Sequence, residues 1–216
     1  LGAMVDVGLT LDDLQIELDK IPDRGYQLSS KSVKRGGLKA TLVDVELDEE
    51  GRRTRTWDDF YNSIEASNLH NSDKKAIRGI FDVLAEAESV AHGGEVGLTH
   101  LHELGTVDTL VDISSAVVGL RLLGIDNLHA SPFPIGTGSS SSSHGLMGAT
   151  SIATAAIYKA SRAPVRVGGK QPVGEVVTPT GAAVVSALAN FHQVEFSADR
   201  IGYGAGLRDP QDHANV

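Results

Sequence analysis

The sequence predicts an α/β (α+β) fold: a small helix-plus-strands unit followed by a layered α/β domain. Three observations carry this. Hydroxyl-x-x-acid start signals open helices at Thr10 and Thr56. Two strand-like runs meet at the turn dipeptide Gly36-Gly37. Beyond residue 95 the composition shifts to Gly, Ser, Ala and Val, with helical patterns alternating with short apolar runs. Such alternation builds layers of helix on sheet. The predicted division is 1–49 as the small α+β unit, 50–95 as a helical segment, and 96–216 as the α/β domain carrying the candidate site.

Taken in order, Thr10-Leu-Asp-Asp13 has the form of a capping box and opens a helix to about Lys20, ended by Pro22. Tyr26–Lys34 and Leu38–Leu47 are strands, the second with alternating Leu42/Asp44/Glu46 and Val43/Val45/Leu47 that leaves one face wet. Asp48–Arg55 is a charged loop, after which Thr56-Trp-Asp-Asp59 starts a helix to about Ser67. A longer helix spans Ser72–His92, with Ile77, Ile80, Phe81, Leu84, Ala85 and Val90 as its apolar face and Gly93-Gly94 as its stop. Then come a helix over Thr106–Leu123, a strand at Leu128–Phe133 and a loop at Gly136–Gly145. A helix at Thr150–Ala160, strands near Val165 and Val176, a helix at Pro179–Ala189 and a strand at Val194–Phe196 complete the chain.

The 216 residues are 41% hydrophobic, enough for a sizeable core, and carry a formal charge of −9. That sign argues against nucleic acid and against an anionic membrane as partners, because both are bound through clustered Lys and Arg. With no cysteine, thiolate metal sites, disulfides and cysteine nucleophiles are excluded, so any metal must be held by His, Asp, Glu or backbone oxygen. No apolar run reaches the roughly 18 residues a membrane span needs, and no signal-peptide pattern opens the chain, so a cytoplasmic location is expected.

The chemistry concentrates in Thr99–Ile113. His100 and His102 are two apart, so on an extended segment both imidazoles face the same side, with Glu103 adjoining them. Gly105 lets the backbone turn into the next helix, on which Asp108 and Asp112 lie one turn apart on one face. Asp112 stands among Leu110, Val111, Ile113, Val117 and Val118, where a carboxylate needs a partner. That partner is either a divalent cation or His102 in a structural pair within the core. The donor types suit zinc, nickel, manganese or magnesium without choosing among them. Gly136–Gly145 is rich in serine and glycine, and His144 is its one group fit for acid–base work. Its alternatives are a phosphate-wrapping loop and a linker. In Gly174–Ala183, Thr178, Thr180 and Gly181 either bind an anion at a helix N-terminus or simply cap that helix. The glycines of Gly202-Tyr-Gly-Ala-Gly206 form a weak signal shared by many turns.

His100–Asp112, His144-Gly145, Gly174–Ala183 and Gly202–Gly206 occur in the order found in one family. Across nearly its whole length the chain resembles the nickel-insertion proteins that complete the nickel-pincer nucleotide cofactor of lactate racemase. The resemblance implies a lyase-class nickel chelatase, a cyclometallase that inserts nickel into pyridinium-3,5-bisthiocarboxylic acid mononucleotide through one carbon–nickel and two sulfur–nickel bonds. It also implies CTP with manganese or magnesium, and a C-terminal domain beyond this sequence to which CTP binding belongs. On that resemblance His100, His102 and Glu103 would hold or relay the metal. Asp108 and Asp112 would be further ligands or the base that removes the ring proton, with His144 a further acid–base group. Thr178, Thr180 and Gly181 would meet a phosphate. Two alternatives are a non-catalytic metal-delivery or nucleotide-binding module and a metal-dependent phosphate-ester hydrolase. Self-assembly into a homo-oligomer is left open.

Overall fold

The structure is a computed structural model, and it describes residues 1–94, 101, 104–142, 145–168, 172–192, 194–209 and 214–216. It is an α/β protein. Helix α1 (Gly2–Asp6) and helix α2 (Leu11–Leu18) precede the hairpin of β1 (Tyr26–Arg35) and β2 (Leu38–Leu47). Helices α3 (Trp57–Ala66), α4 (Asn71–His92) and α5 (Val107–Leu122) follow. The remainder contains β3 (Leu128–His129), β4 (Phe133–Pro134), β5 (Ser139–Ser142), β6 (Gly145–Gly148), α6 (Ile152–Ser161) and β7 (Val165–Arg166). It ends with α7 (Pro179–Leu188), β8 (Ala189–Asn190) and β9 (Gly204–Ala205).

Local chemistry accounts for the best-defined boundaries. The Thr56 hydroxyl accepts the Asp59 N–H, and the Asp59 carboxylate accepts the Thr56 N–H, a complete capping box for α3. At Thr10 the hydroxyl likewise accepts the Asp13 N–H at 3.1 Å. Gly93 ends α4 in the left-handed region at φ 65°. In the hairpin turn, Gly36 and Gly37 both have positive φ, 53° and 85°, which the twist of a two-residue connection requires.

The core is built where α3, α4 and α5 pack. Phe60 and Phe81 stack with ring centroids 5.3 Å apart, and Trp57 meets both edge-on. Ile77, Ile80, Leu84, Leu110, Ile113 and Val118 complete the centre, and α6 and α7 close over α4. Val90, expected on the inner face of α4, is instead 64% exposed. It continues the exposed row of Asp82 and Glu86 at successive i, i+4 positions, while Ala87, Glu88 and Ser89 beside it are buried.

Three further expectations are corrected. The Leu128–Phe133 strand is two short strands, β3 pairing in parallel with β8 and β4 with β7, interrupted at Ser131-Pro132; proline cannot donate to a ladder. The loop expected over Gly136–Gly145 contributes strand β5, paired antiparallel with β6. The segments near Val176 and Val194–Phe196 belong to no strand; the nearest pairing to the first is a single bridge from Thr137 to Val173, and to the second strand β8. Among the described residues no helix is long and apolar enough to cross a membrane.

Candidate functional site

Helix α5 runs through the core, with Val107, Leu110, Val111, Ile113, Ser114, Val117 and Val118 all buried. Within the helix, Asp108, Asp112, Ala116 and Leu120 form the one accessible stripe before the C-terminal turn, at successive i, i+4 positions. The carboxylates occupy its N-terminal half, and Ala116 leaves space in the turn that follows. Asp112 is therefore not enclosed in the core: its side chain is exposed, although protein atoms crowd around its carboxyl. A histidine–carboxylate pair sealed inside the core does not describe this residue.

The two carboxylates are held differently. Asp108 Oδ1 accepts a hydrogen bond from the Thr106 hydroxyl and another from the Thr109 N–H at 2.9 Å. Thr106 stands at the N-cap, but its hydroxyl serves Asp108 and not the helix backbone. No Lys, Arg or His side chain bridges Asp108 or Asp112 among the described residues. The crowding of Asp112, and then the like charge of Asp108, push its carboxyl up to about 6. Two like-charged oxygens on an open stripe, one of them poised near neutrality, attract a cation or accept a proton.

His100, His102, Glu103 and His144 lie outside the described residues. Their neighbours are placed. Leu101, between the two histidines, is buried with 3% exposure, and Leu104 packs against the core. Gly105 presses so closely on this segment that a β-carbon there would come within 2.5 Å of the Leu101 carbonyl oxygen. Among the described residues, no group of three or more His, Asp or Glu converges as a metal cluster.

At the start of α7, the Thr178 hydroxyl accepts the Gly181 N–H at 3.2 Å, and Pro179 occupies the first turn. Ordinary threonine capping is thus in place, so an anion would be left with the Thr180 N–H and the threonine hydroxyl protons. Helix α7 packs on α4, α5 and α6. The Gly202–Gly206 motif has a structural explanation. Gly202 and Gly204 lie against Ala3 of α1, where β-carbons would come within 2.3 Å and 2.5 Å of backbone atoms. Strand β9 thereby reaches β2 and pairs with it in parallel. Asp6, which the sequence did not single out, clasps the junction by accepting from the Thr41 hydroxyl at 2.7 Å and the Tyr203 N–H at 2.9 Å. Those bonds hold its carboxyl below the usual range.

Fold and stripe together define an α/β protein built around an open, carboxylate-bearing helix face. Comparison with known proteins specifies this further. The model of the nickel insertion protein family matches residues 1–216. A Nocardioides sp. protein named pyridinium-3,5-bisthiocarboxylic acid mononucleotide nickel insertion protein is 36% identical over 218 residues, covering 100% of this chain and 54% of its own length. A Roseiflexus castenholzii protein, provisionally named for nickel insertion, is 40% identical over 208 residues, covering 96% of this chain and 52% of its own. A Dictyoglomus thermophilum protein with the same provisional name is 33% identical over 211 residues, or 97% and 53%. No solved structure matches. The chain belongs to the nickel insertion protein family, and it spans about half the length of the curated relatives it matches.

Proposed function

We propose that this chain is the part of a nickel-insertion enzyme that brings nickel and its nucleotide acceptor together. The acceptor is pyridinium-3,5-bisthiocarboxylic acid mononucleotide, the compound in the name of the Nocardioides relative. The observation that carries the reading is the accessible Asp108–Asp112 pair on a helix whose neighbouring positions from 109 to 115 are buried, directly after the His100-Leu-His-Glu103 segment in sequence. In the insertion reaction the ring C–H bond is replaced by a carbon–nickel bond, and the proton must leave to a base. Asp112, with its carboxyl near 6, is largely ionised at neutral pH yet basic enough to accept that proton. Asp108, fixed by Thr106 and Thr109, keeps that basicity raised. His100 and His102 offer nickel the imidazole nitrogens it favours. Thr180 and Thr178 would meet the substrate phosphate, and His144 would assist proton transfer.

The lyase class, CTP dependence and a cytoplasmic setting belong to this same reading. Glu103 and Asp108 are hard oxygen donors of the kind that suit manganese or magnesium, and the absence of a bridging basic side chain on Asp108 among the described residues fits such an ion. When bound, that ion supplies positive charge to the nucleotide phosphates.

The test is nickel affinity by calorimetry for this chain and for its His100→Ala/His102→Ala double variant. A loss of at least about tenfold is expected, and unchanged affinity would sink the metal assignment. Insertion is then assayed with the bisthiocarboxylate mononucleotide, CTP and nickel, with and without the remaining half of a full-length relative. Substrate binding that never leads to turnover would favour the delivery-module alternative.

A further inference from the structure

The irregular loop at 48–55 lies against the start of α5, and of its six charged residues Arg55 is buried while the other five are exposed. Arg55 is 8% exposed. Its Nε donates to Asp23 Oδ1 at 2.7 Å, and its Nη1 donates to the carbonyls of Arg53 at 2.9 Å and Gly51 at 3.3 Å. Ser63 donates to the other Asp23 oxygen. A guanidinium buried with one carboxylate and the carbonyls of Glu50, Gly51 and Arg53 is well supplied with acceptors, but burying it is costly, so it gives weak support to stability for its own sake. Its geometry points elsewhere.

The loop that Arg55 gathers grips the entrance to α5 from both sides. The Arg55 N–H donates to the Gly105 carbonyl at 2.7 Å, and the Val107 N–H donates to the Gly51 carbonyl at 3.1 Å. These two bonds flank Thr106, the residue that orients Asp108. Gly51 is itself pinned from behind. Its N–H donates to Asp48 Oδ1 at 2.9 Å, and a β-carbon on it would come within 2.0 Å of the Gly25 carbonyl oxygen. Thr54 closes the last gap, its methyl 2.9 Å from where a Gly105 β-carbon would stand. Through Gly105 the grip reaches the buried Leu101 between the two histidines.

We propose that Arg55 is a positioning residue for nickel insertion. By folding the 48–55 loop around its guanidinium, with Asp23 as counter-charge, it sets where Gly105 leads into α5 and how Asp108 is presented. It touches neither nickel nor the nucleotide. The inference rests on the functional reading above for its consequence, though not for its geometry.

Arg55→Gln, Arg55→Lys and, as control, Arg53→Gln are compared in this chain. Arg53 belongs to the same loop, but its side chain is 75% exposed. Two readouts are taken on folded protein: amide exchange at Val107, and affinity for nickel(II) alone. Arg55→Gln should speed Val107 exchange and weaken nickel binding, each by about tenfold, as loss of an outer support does at metal sites. Arg55→Lys, which keeps the charge but not the fork, should fall between it and wild type. Arg53→Gln should match wild type. Wild-type Val107 protection in folded Arg55→Gln overturns the clamp, and unchanged nickel affinity overturns the positioning role. Should Arg55→Gln not fold, the same two measurements on Arg55→Lys decide. A wild-type chain that binds no nickel refutes the functional reading, while Val107 exchange still tests the clamp.

Discussion

At its C-terminal end α5 presents Arg121 to two carboxylates, Asp73 at 2.7 Å and Glu17 at 2.6 Å, tying the helix to α4 and α2. At its N-terminal end it presents two carboxylates, Asp108 and Asp112, one turn apart and bridged by no Lys, Arg or His side chain among the described residues. One helix thus carries a charge cluster paired across elements and a like-charged pair that, among the described residues, has no basic side-chain partner. Paired charges hold elements together; two like charges on an accessible stripe repel each other, and a cation or proton relieves that repulsion. On the proposed function, the difference separates stability from chemistry along about sixteen residues of chain.

Asp112→Asn should break the comparison most sharply. If the carboxylate takes the ring proton, the insertion rate at saturating nickel should fall by about a hundredfold or more while the protein stays folded. A rate within a few-fold of wild type would remove Asp112 as the base. At the other end, Asp73→Ala removes the nearly buried partner of Arg121 while Glu17 keeps part of the charge paired. A loss of about 2 kcal/mol is expected for such a charge-assisted bond, lowering the unfolding midpoint by roughly 6 °C. Nickel affinity should not change. Should it change instead, the two ends are coupled and the division fails.

Helix starts extend the same contrast. Thr56 and Asp59 satisfy each other at the head of α3, whereas Thr106 at the head of α5 spends its hydroxyl on Asp108. Thr56→Ala should cost about 1 kcal/mol in chemical denaturation and leave nickel binding alone. Thr106→Ala should cost less stability but alter the site. Equal stability losses would mean that both threonines are only caps.

Legibility in the sequence follows the same division. The Thr56 capping box, the Gly36-Gly37 turn, the Gly93 stop and the Asp108–Asp112 face were all readable, because each depends on neighbours within four residues. Features made by distant contacts were not. The Gly202–Gly206 motif gave no hint of Asp6 or of pairing with β2, since its glycines are there for the close approach of α1. The serine run from 139 to 142 lacks the apolar alternation that marks a strand, yet it pairs with β6 through backbone groups that any residue supplies. Arg55 looked like one charge in a charged loop. Only the fold shows its side chain turning inward to Asp23. The exposure of Asp112 was hidden too, because a hydrophobic neighbourhood in sequence does not say which narrow stripe of a buried helix stays open.

The smallest effect concerns pH, and it tests the N-terminal end without any metal. The Asp112 carboxyl lies near 6 in the fold against an ordinary value of 3.8, so between those values the folded chain holds a proton that the unfolded chain has released. Stability from this group is therefore fully present below about pH 4 and is lost as pH rises through 6, opposite to a salt-bridged carboxylate. The exposure of Asp112 lets water screen much of the effect, so the difference should be modest. It is read by subtraction: the unfolding free energy of wild type minus that of Asp112→Asn should decline from pH 4 to pH 6.5 and then level off. A saturating divalent cation should flatten or reverse the slope, because binding favours the ionised pair. A difference that stays flat in both conditions would mean that Asp112 titrates as it does in the unfolded chain, and the contrast between the two ends of α5 would then lose its electrostatic basis.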